Sequence, residues 1–149
     1  MGEGSTWVFM GYQSAEEGQP VQAWFDSLPE DDQYEIIQIL NYLRSFPVCW
    51  DQVEIKEFDP LAGEGGISEI RVIPEIRREE NGITKRITYR IYGVFGPNAG
   101  EYTFLHAWDK QTRTDTKGKR IARERLEKLT CYEADVHEFN FPAIPFQEA

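Results

Sequence analysis

The sequence predicts an α+β domain, and three observations carry that prediction. Two amphipathic helical segments meet at Pro29. Asn81-Gly82 lies between β-prone segments, and this is the strongest short-range hairpin signal because both central positions of a type I′ turn need positive φ. A basic stretch with helical periodicity, residues 116–129, closes the patterned part of the chain.

The elements follow in order. Trp7-Val8-Phe9-Met10-Gly11-Tyr12 is a short apolar and aromatic run and reads as a first strand. Residues 19–28 carry Val21, Trp24, Phe25 and Leu28 on one stripe, a helix that Pro29 stops. Glu30, Asp31 and Asp32 then complement the dipole of a second helix. That helix places Ile36, Ile37, Leu40 and Leu43 among its apolar positions and ends at Phe46-Pro47, so the pair forms a helical hairpin. Residues 48–66 read as an irregular connection.

Strands follow over residues 67–74, 76–80 and 83–95, the last two joined by Asn81-Gly82, with Ile76 facing Ile87. Pro74 marks a bulge or an edge. Residues 101–109 form a further strand, with Tyr102, Phe104, His106 and Trp108 on one face and Thr103, Leu105 and Ala107 on the other. Apolar residues on both faces predict a central strand, and the strands together predict an antiparallel meander. The last helix sets Ile121, Ala122, Arg125, Leu126 and Leu129 at helical spacing amid Lys117, Lys119, Arg120, Arg123 and Lys128.

At 149 residues the chain fits one domain, residues 1–130, followed by an acidic-aromatic tail, residues 131–149. Hydrophobic residues at 40% and charged residues at 28% exclude a disordered or collagen-like chain. Apolar runs are too short for a membrane span, and the start lacks the basic and apolar regions of a secretory signal. The expected location is therefore cytoplasmic, with Cys49 and Cys131 as buried thiols. The tail has no period. Its acids and aromatics either fold over the basic region or pack on the sheet as extra core.

The net charge of −10 argues against a polyanionic partner, but its distribution argues the other way. Residues 67–130 hold 14 of the 16 basic residues and 9 of the 26 acidic ones, a net +5, against −15 for the remainder. Such asymmetry can steer a polyanion to one face. The same counts also fit an acidic protein with one basic helix.

No metal-ligand spacing, phosphate-binding glycine loop or Gly-x-Ser-x-Gly elbow occurs, so no metal or cofactor is expected. What remains is a cationic constellation: Arg71, Arg90, His106, Lys110 and Arg113. Cleaving RNA through its own 2′-hydroxyl needs a base, cations to steady the phosphate and an acid for the leaving 5′ oxygen. Arg binds phosphate bidentately, and His ordinarily titrates near neutrality. Each residue also has a plainer reading. The arginines can pair with a carboxylate such as Glu69, His106 can be a hydrogen-bonded core histidine, and Lys110 and Arg113 can solvate a loop.

Four patterns stand in order: Asp26-Ser27-Leu28-Pro29-Glu30, Glu69-Ile70-Arg71, Tyr89-Arg90-Ile91-Tyr92, and Leu105-His106-Ala107-Trp108-Asp109-Lys110-Gln111-Thr112. With the order of elements, they resemble the RelE/HigB-like toxins of bacterial toxin–antitoxin pairs, in particular their phage-derived branch, over about residues 7–129. The resemblance implies a strand and helical hairpin packed on an antiparallel meander, then a basic helix. It implies a metal-free endoribonuclease that cleaves mRNA on the ribosome and is neutralised by a cognate antitoxin. By position it assigns catalysis to Arg71, Arg90, His106 and Lys110, and RNA contacts to Arg113, Lys117 and Arg120. The connection from Arg71 to Arg90 is longer than is typical of the family. A second function class is a catalytically weak module on the same scaffold that grips a protein through the helical hairpin or the tail. A third is a sibling that poisons DNA gyrase.

Overall fold

A computed structural model describes residues 7–46, 49–50, 54–72, 77–109 and 114–141. In chain order the elements are β1 (Val8–Gln13), α1 (Pro20–Asp26), α2 (Glu30–Arg44), β2 (Phe58–Pro60), β3 (Ser68–Val72), β4 (Arg77–Glu80), β5 (Ile83–Arg86), β6 (Tyr89–Phe95), β7 (Glu101–Trp108), α3 (Thr116–Thr130) and β8 (Asp135–Glu138). Six strands form one sheet in the order β2-β3-β6-β7-β1-β8, and β4 and β5 form a separate two-stranded sheet. The class is α+β.

Pro20 opens α1, where its missing N–H costs nothing, and the acidic first turn of α2 faces the helix dipole. Both helices pack on one face of the sheet. Phe25, Ile36, Leu40 and Leu43 meet Phe9, Ile70, Ile91, Tyr102 and Phe104 around the buried Trp50. The opposite face belongs to α3, whose Ala122 packs with Tyr12, Ile67, Tyr92 and Leu105. The result is three layers, helical hairpin, sheet and single helix, and the candidate residues lie between the last two.

The expected β3–β6–β7 antiparallel core is present, with β7 inside the sheet as its doubly apolar pattern requires. Asn81 and Gly82 have φ of 53° and 77°, as a type I′ turn demands. Arg77 pairs with Arg86, while Ile76 and Pro74, and with them the expected facing of Ile76 and Ile87, lie outside the described residues.

Several expectations are corrected. The segment 83–95 is two strands belonging to different sheets. The irregular connection contains β2, and the tail contains β8, which pairs antiparallel with β1. The sheet is mixed, because β1 runs parallel to β7 from Val8–Glu101 to Gly11–Phe104. Cys131 follows α3 and is exposed, and Cys49 is half-buried, so neither is the buried thiol expected.

The most consequential difference lies in β7. Tyr92 pairs with His106 but Gly93 pairs with Phe104, which leaves Leu105 as the extra residue of a β-bulge. Tyr102 and Phe104 therefore face the helical hairpin, while Leu105 and His106 both lie on the α3 face. The expected single face of Tyr102, Phe104, His106 and Trp108 is split in the middle. Among the described residues, no helix is long and apolar enough to cross a membrane.

Candidate functional site

Alternation along β3 and β6 puts Glu69, Arg71, Arg90 and Tyr92 on the α3 face, because Ile70, Val72, Tyr89 and Ile91 are claimed by the opposite core. Arg71 and Arg90 are direct register partners, and so are Glu69 and Tyr92. Glu69 is 2% exposed and holds both guanidinium groups: Arg71 Nε donates to Oε1 at 3.1 Å, and Arg90 Nη1 lies 3.5 Å from Oε2. Arg71 also donates to Asp59 at 2.9 Å. The two cations expected to grip phosphate are gathered on one face, and each is paired with a carboxylate.

His106 lies opposite Tyr92, and Trp108 lies opposite Arg90. His106 is thus a diagonal neighbour of Arg90, about 7–8 Å away by strand geometry. The Tyr92 ring lies parallel to the imidazole at 6.3 Å, and the Trp108 ring meets it edge-on at 4.6 Å. Arg125 of α3 donates to the Leu105 carbonyl at 2.9 Å and reaches His106 Nδ1 at 3.4 Å. A guanidinium only donates, so Nδ1 accepts and the proton sits on Nε2. Among the described residues Nε2 is buried without a partner. Burial first, and then the Arg125 charge, press the His106 pKa down to about 4. The expectation that His106 titrates near neutrality is corrected: it is a neutral imidazole at pH 7.

Asp115 closes the cluster. Its Oδ2 accepts from Tyr92 Oη at 2.8 Å and Trp108 Nε1 at 2.6 Å, while Oδ1 caps α3 by accepting from the Gly118 N–H at 3.0 Å. Burial alone would raise its pKa, but the hydrogen bonds from Trp108, Tyr92 and Gly118 carry it below the ordinary value. Burial and the bond to Asp115 raise the Tyr92 phenol. Lys117 sits over the Trp108 ring at 5.9 Å, which brings it to the edge of the site. Arg120 is set apart: it is exposed and lines a shallow groove with Gly63 and Gly65. Lys110 and Arg113 lie outside the described residues.

The sequence reading held Glu69 only as a possible partner for arginine, and it missed Tyr92, Asp115 and Arg125. Strand parity was a usable signal for Glu69, which is two residues from Arg71. Asp115 carried the signal of an N-cap before a helix. Arg125 had none, since its place in the apolar stripe of α3 disguised a side chain that reaches β7.

No family model matches the chain, and no curated protein or solved structure does either.

Proposed function

We propose that this protein is a metal-free endoribonuclease of the toxin type, cleaving mRNA on the ribosome and neutralised by a cognate antitoxin. The observation that carries the reading is the direct pairing of Arg71 with Arg90 on the face that holds His106, with the Glu69 carboxylate between the guanidinium groups. A phosphate entering this face competes with Glu69 for both arginines. The displaced carboxylate becomes the base within reach of a 2′-hydroxyl, a role that a histidine with a pKa near 4 fills poorly. The two arginines then steady the charge that develops on phosphorus. The leaving 5′ oxygen takes its proton from Lys110, which follows the end of β7 by two residues in sequence.

One observation favours the second reading, a catalytically weak protein-binding module. Both arginines are occupied by carboxylates, while Tyr42 of the helical hairpin, 49% exposed, and Tyr132 of the tail, 93% exposed, present aromatic surface. Expression without any partner separates the two. A nuclease arrests growth and translation, primer extension finds new 5′ ends within translated mRNA, and Arg90→Ala abolishes both effects. Normal growth at high soluble expression, with intact mRNA, leaves the binding module.

A further inference from the structure

Arg125 of α3 turns its side chain onto the sheet, where only 13% of it is exposed. It meets groups from β7, from β1 and from the turn that follows β1. Nη1 donates to the Leu105 carbonyl at 2.9 Å and reaches His106 Nδ1 at 3.4 Å. Nε and Nη2 both donate to Glu17 Oε2, at 3.3 and 3.0 Å, and the guanidinium stands 5.5 Å from the centre of the Tyr12 ring.

Each contact answers a local need. Leu105 is the extra residue of the β7 bulge, so its buried carbonyl requires a donor from outside the ladder. The same bulge is what turns His106 onto the α3 face. Glu17 is set in place by a tight turn: Ser14 and Gly18 exchange backbone hydrogen bonds at 2.9 and 2.8 Å, and Ser14 Oγ accepts from the Glu17 N–H at 2.9 Å. Its carboxylate balances a guanidinium that would otherwise be largely buried without a counter-charge.

Because Arg125 only donates, His106 Nδ1 is held as the acceptor and the ring proton stays on Nε2. That N–H is a buried donor with no partner among the described residues, on the sheet face that also carries Arg90. A buried donor left unpaired costs stability, and a ligand that supplies an acceptor recovers it.

We infer that Arg125 is a positioning residue of the proposed active face: it pins the Leu105 bulge and holds His106 as a neutral Nε2–H donor for a phosphate oxygen. The ligand rests on the nuclease reading, whereas the positioning stands without it. No proton leaves His106 in this role. The imidazole donates a hydrogen bond to an oxygen that Arg71 and Arg90 attract by charge.

Among the described residues, the charged and titratable groups around His106 are Arg125 and Lys117 of α3, Asp115 at its N-cap, Glu17, and Glu69, Arg90 and Tyr92 on the neighbouring strands. Burial and Arg125 keep the imidazole neutral, while Asp115 and Glu17 act the other way. The two members of the Glu17–Arg125 pair therefore push the histidine in opposite directions. Lost packing has no such signature.

The test is an NMR titration of the 15N-labelled full chain from pH 4.5 to 8, with the His106 ring signals identified by their loss in His106→Gln. In the wild type a single Nε2–H tautomer is expected, with signals that hold still above pH 6. Arg125→Met keeps an apolar stem against Tyr12 but removes the donors and the charge. It is expected to raise the His106 pKa by about 1–2 units and to populate the Nδ1–H tautomer. Glu17→Gln leaves Arg125 on the Leu105 carbonyl and is expected to keep both the tautomer and the still signals. Inorganic phosphate at pH 7, compared with chloride of equal ionic strength, is expected to shift the Nε2 signal of the wild type and not that of Arg90→Ala.

A wild-type Nδ1–H tautomer overturns the positioning role, as does an Arg125→Met chain with wild-type signals. Signals that move in Glu17→Gln as they do in Arg125→Met also overturn it, because both variants would then merely hydrate the ring. That arm and the wild-type tautomer decide the matter even where Arg125→Met fails to fold. An Nε2 signal indifferent to phosphate overturns the donor role. A fixed, phosphate-responsive tautomer in a chain that leaves mRNA uncut in the expression experiment upholds the inference and refutes the nuclease.

Discussion

Burial decides the chemistry of His106 before any ligand arrives. A histidine whose pKa falls from 6.5 to about 4 on folding binds fewer protons in the native state than in the unfolded one throughout that interval. Its contribution to stability is complete above pH 6.5 and is lost as pH falls toward 4, about 3 kcal/mol across the window. Asp115 acts lower. Its depressed pKa gives stability that is present above the ordinary carboxylate value and is lost only as pH falls below it. The two contributions therefore separate along the pH axis. His106→Gln is expected to flatten the pH dependence of urea-unfolding stability between pH 4 and 6.5 relative to the wild type. Parallel curves for the two proteins would mean that His106 is protonated in the native state. Gly118 tests the other end of the cluster. A Cβ at this position would run into the Asp115 carboxylate, so Gly118→Ala disrupts the cap and costs about 1–2 kcal/mol in denaturant unfolding. Strand parity made Arg71 and Arg90 legible as a same-face pair, since each lies between core residues. The side taken by His106 was not legible: the bulge at Leu105 is a property of the pairing with β6, and nothing in β7 alone announces it.

Strands β2 and β8 show what limits the reading of elements. Each is three or four residues long, and β8 reads Asp-Val-His-Glu, with too few alternations to form a pattern. The helices and the Asn81-Gly82 turn are legible because their signals repeat locally or reside in one dipeptide. A four-residue edge strand is defined by the β1 edge it covers. The packing that follows β8 then holds it in place. Phe139 is 5% exposed and meets Phe104 at 4.9 Å and Phe25 at 5.6 Å. Gln22 of α1 grips Asn140 in both directions, donating to its carbonyl at 2.9 Å and accepting from its N–H at 2.8 Å. Phe139 and Phe141 of the tail thus pack as extra core, the plainer of the two expectations, while Tyr132 stays exposed. Phe139→Ala is expected to lower stability by about 3–5 kcal/mol, measured by urea unfolding. Truncation before Asp135 also uncovers the β1 edge and is expected to cause aggregation. A soluble truncated chain of unchanged melting temperature would mean that β8 is dispensable.

At the scale of the whole molecule, the parallel pairing of Val8 with Glu101 joins residues 93 positions apart, and local periodicity cannot announce such a contact. Charge segregation, in contrast, is legible in composition, and it has a kinetic consequence. The chain carries −10 overall, and of the six cations of α3, Lys117, Arg120 and Arg123 are exposed, interleaved with Glu124 and Glu127. Three of the six are already engaged, Arg123 with Glu64, Arg125 with Glu17 and Lys128 with Glu16. If the protein acts on RNA as proposed, an approaching RNA meets a field in which attraction by Lys117, Lys119 and Arg120 is partly cancelled by the two glutamates, one turn further along the helix. Exposed charges of this kind act on the encounter and leave the contacts of the bound state unchanged. Replacing both glutamates, Glu124→Gln with Glu127→Gln, is therefore expected to raise the association rate for RNA about 3-fold at 50 mM salt, with the dissociation rate unchanged. At 500 mM salt, where the screening length falls well below 10 Å, the difference disappears. Stopped-flow measurement with a fluorescent 2′-O-methyl RNA, which cannot be cleaved through its 2′ position, distinguishes this from a direct contact. A change in dissociation rate, or a gain that survives high salt, would place the two glutamates at the RNA itself, and α3 would then be part of the bound surface instead of its approach.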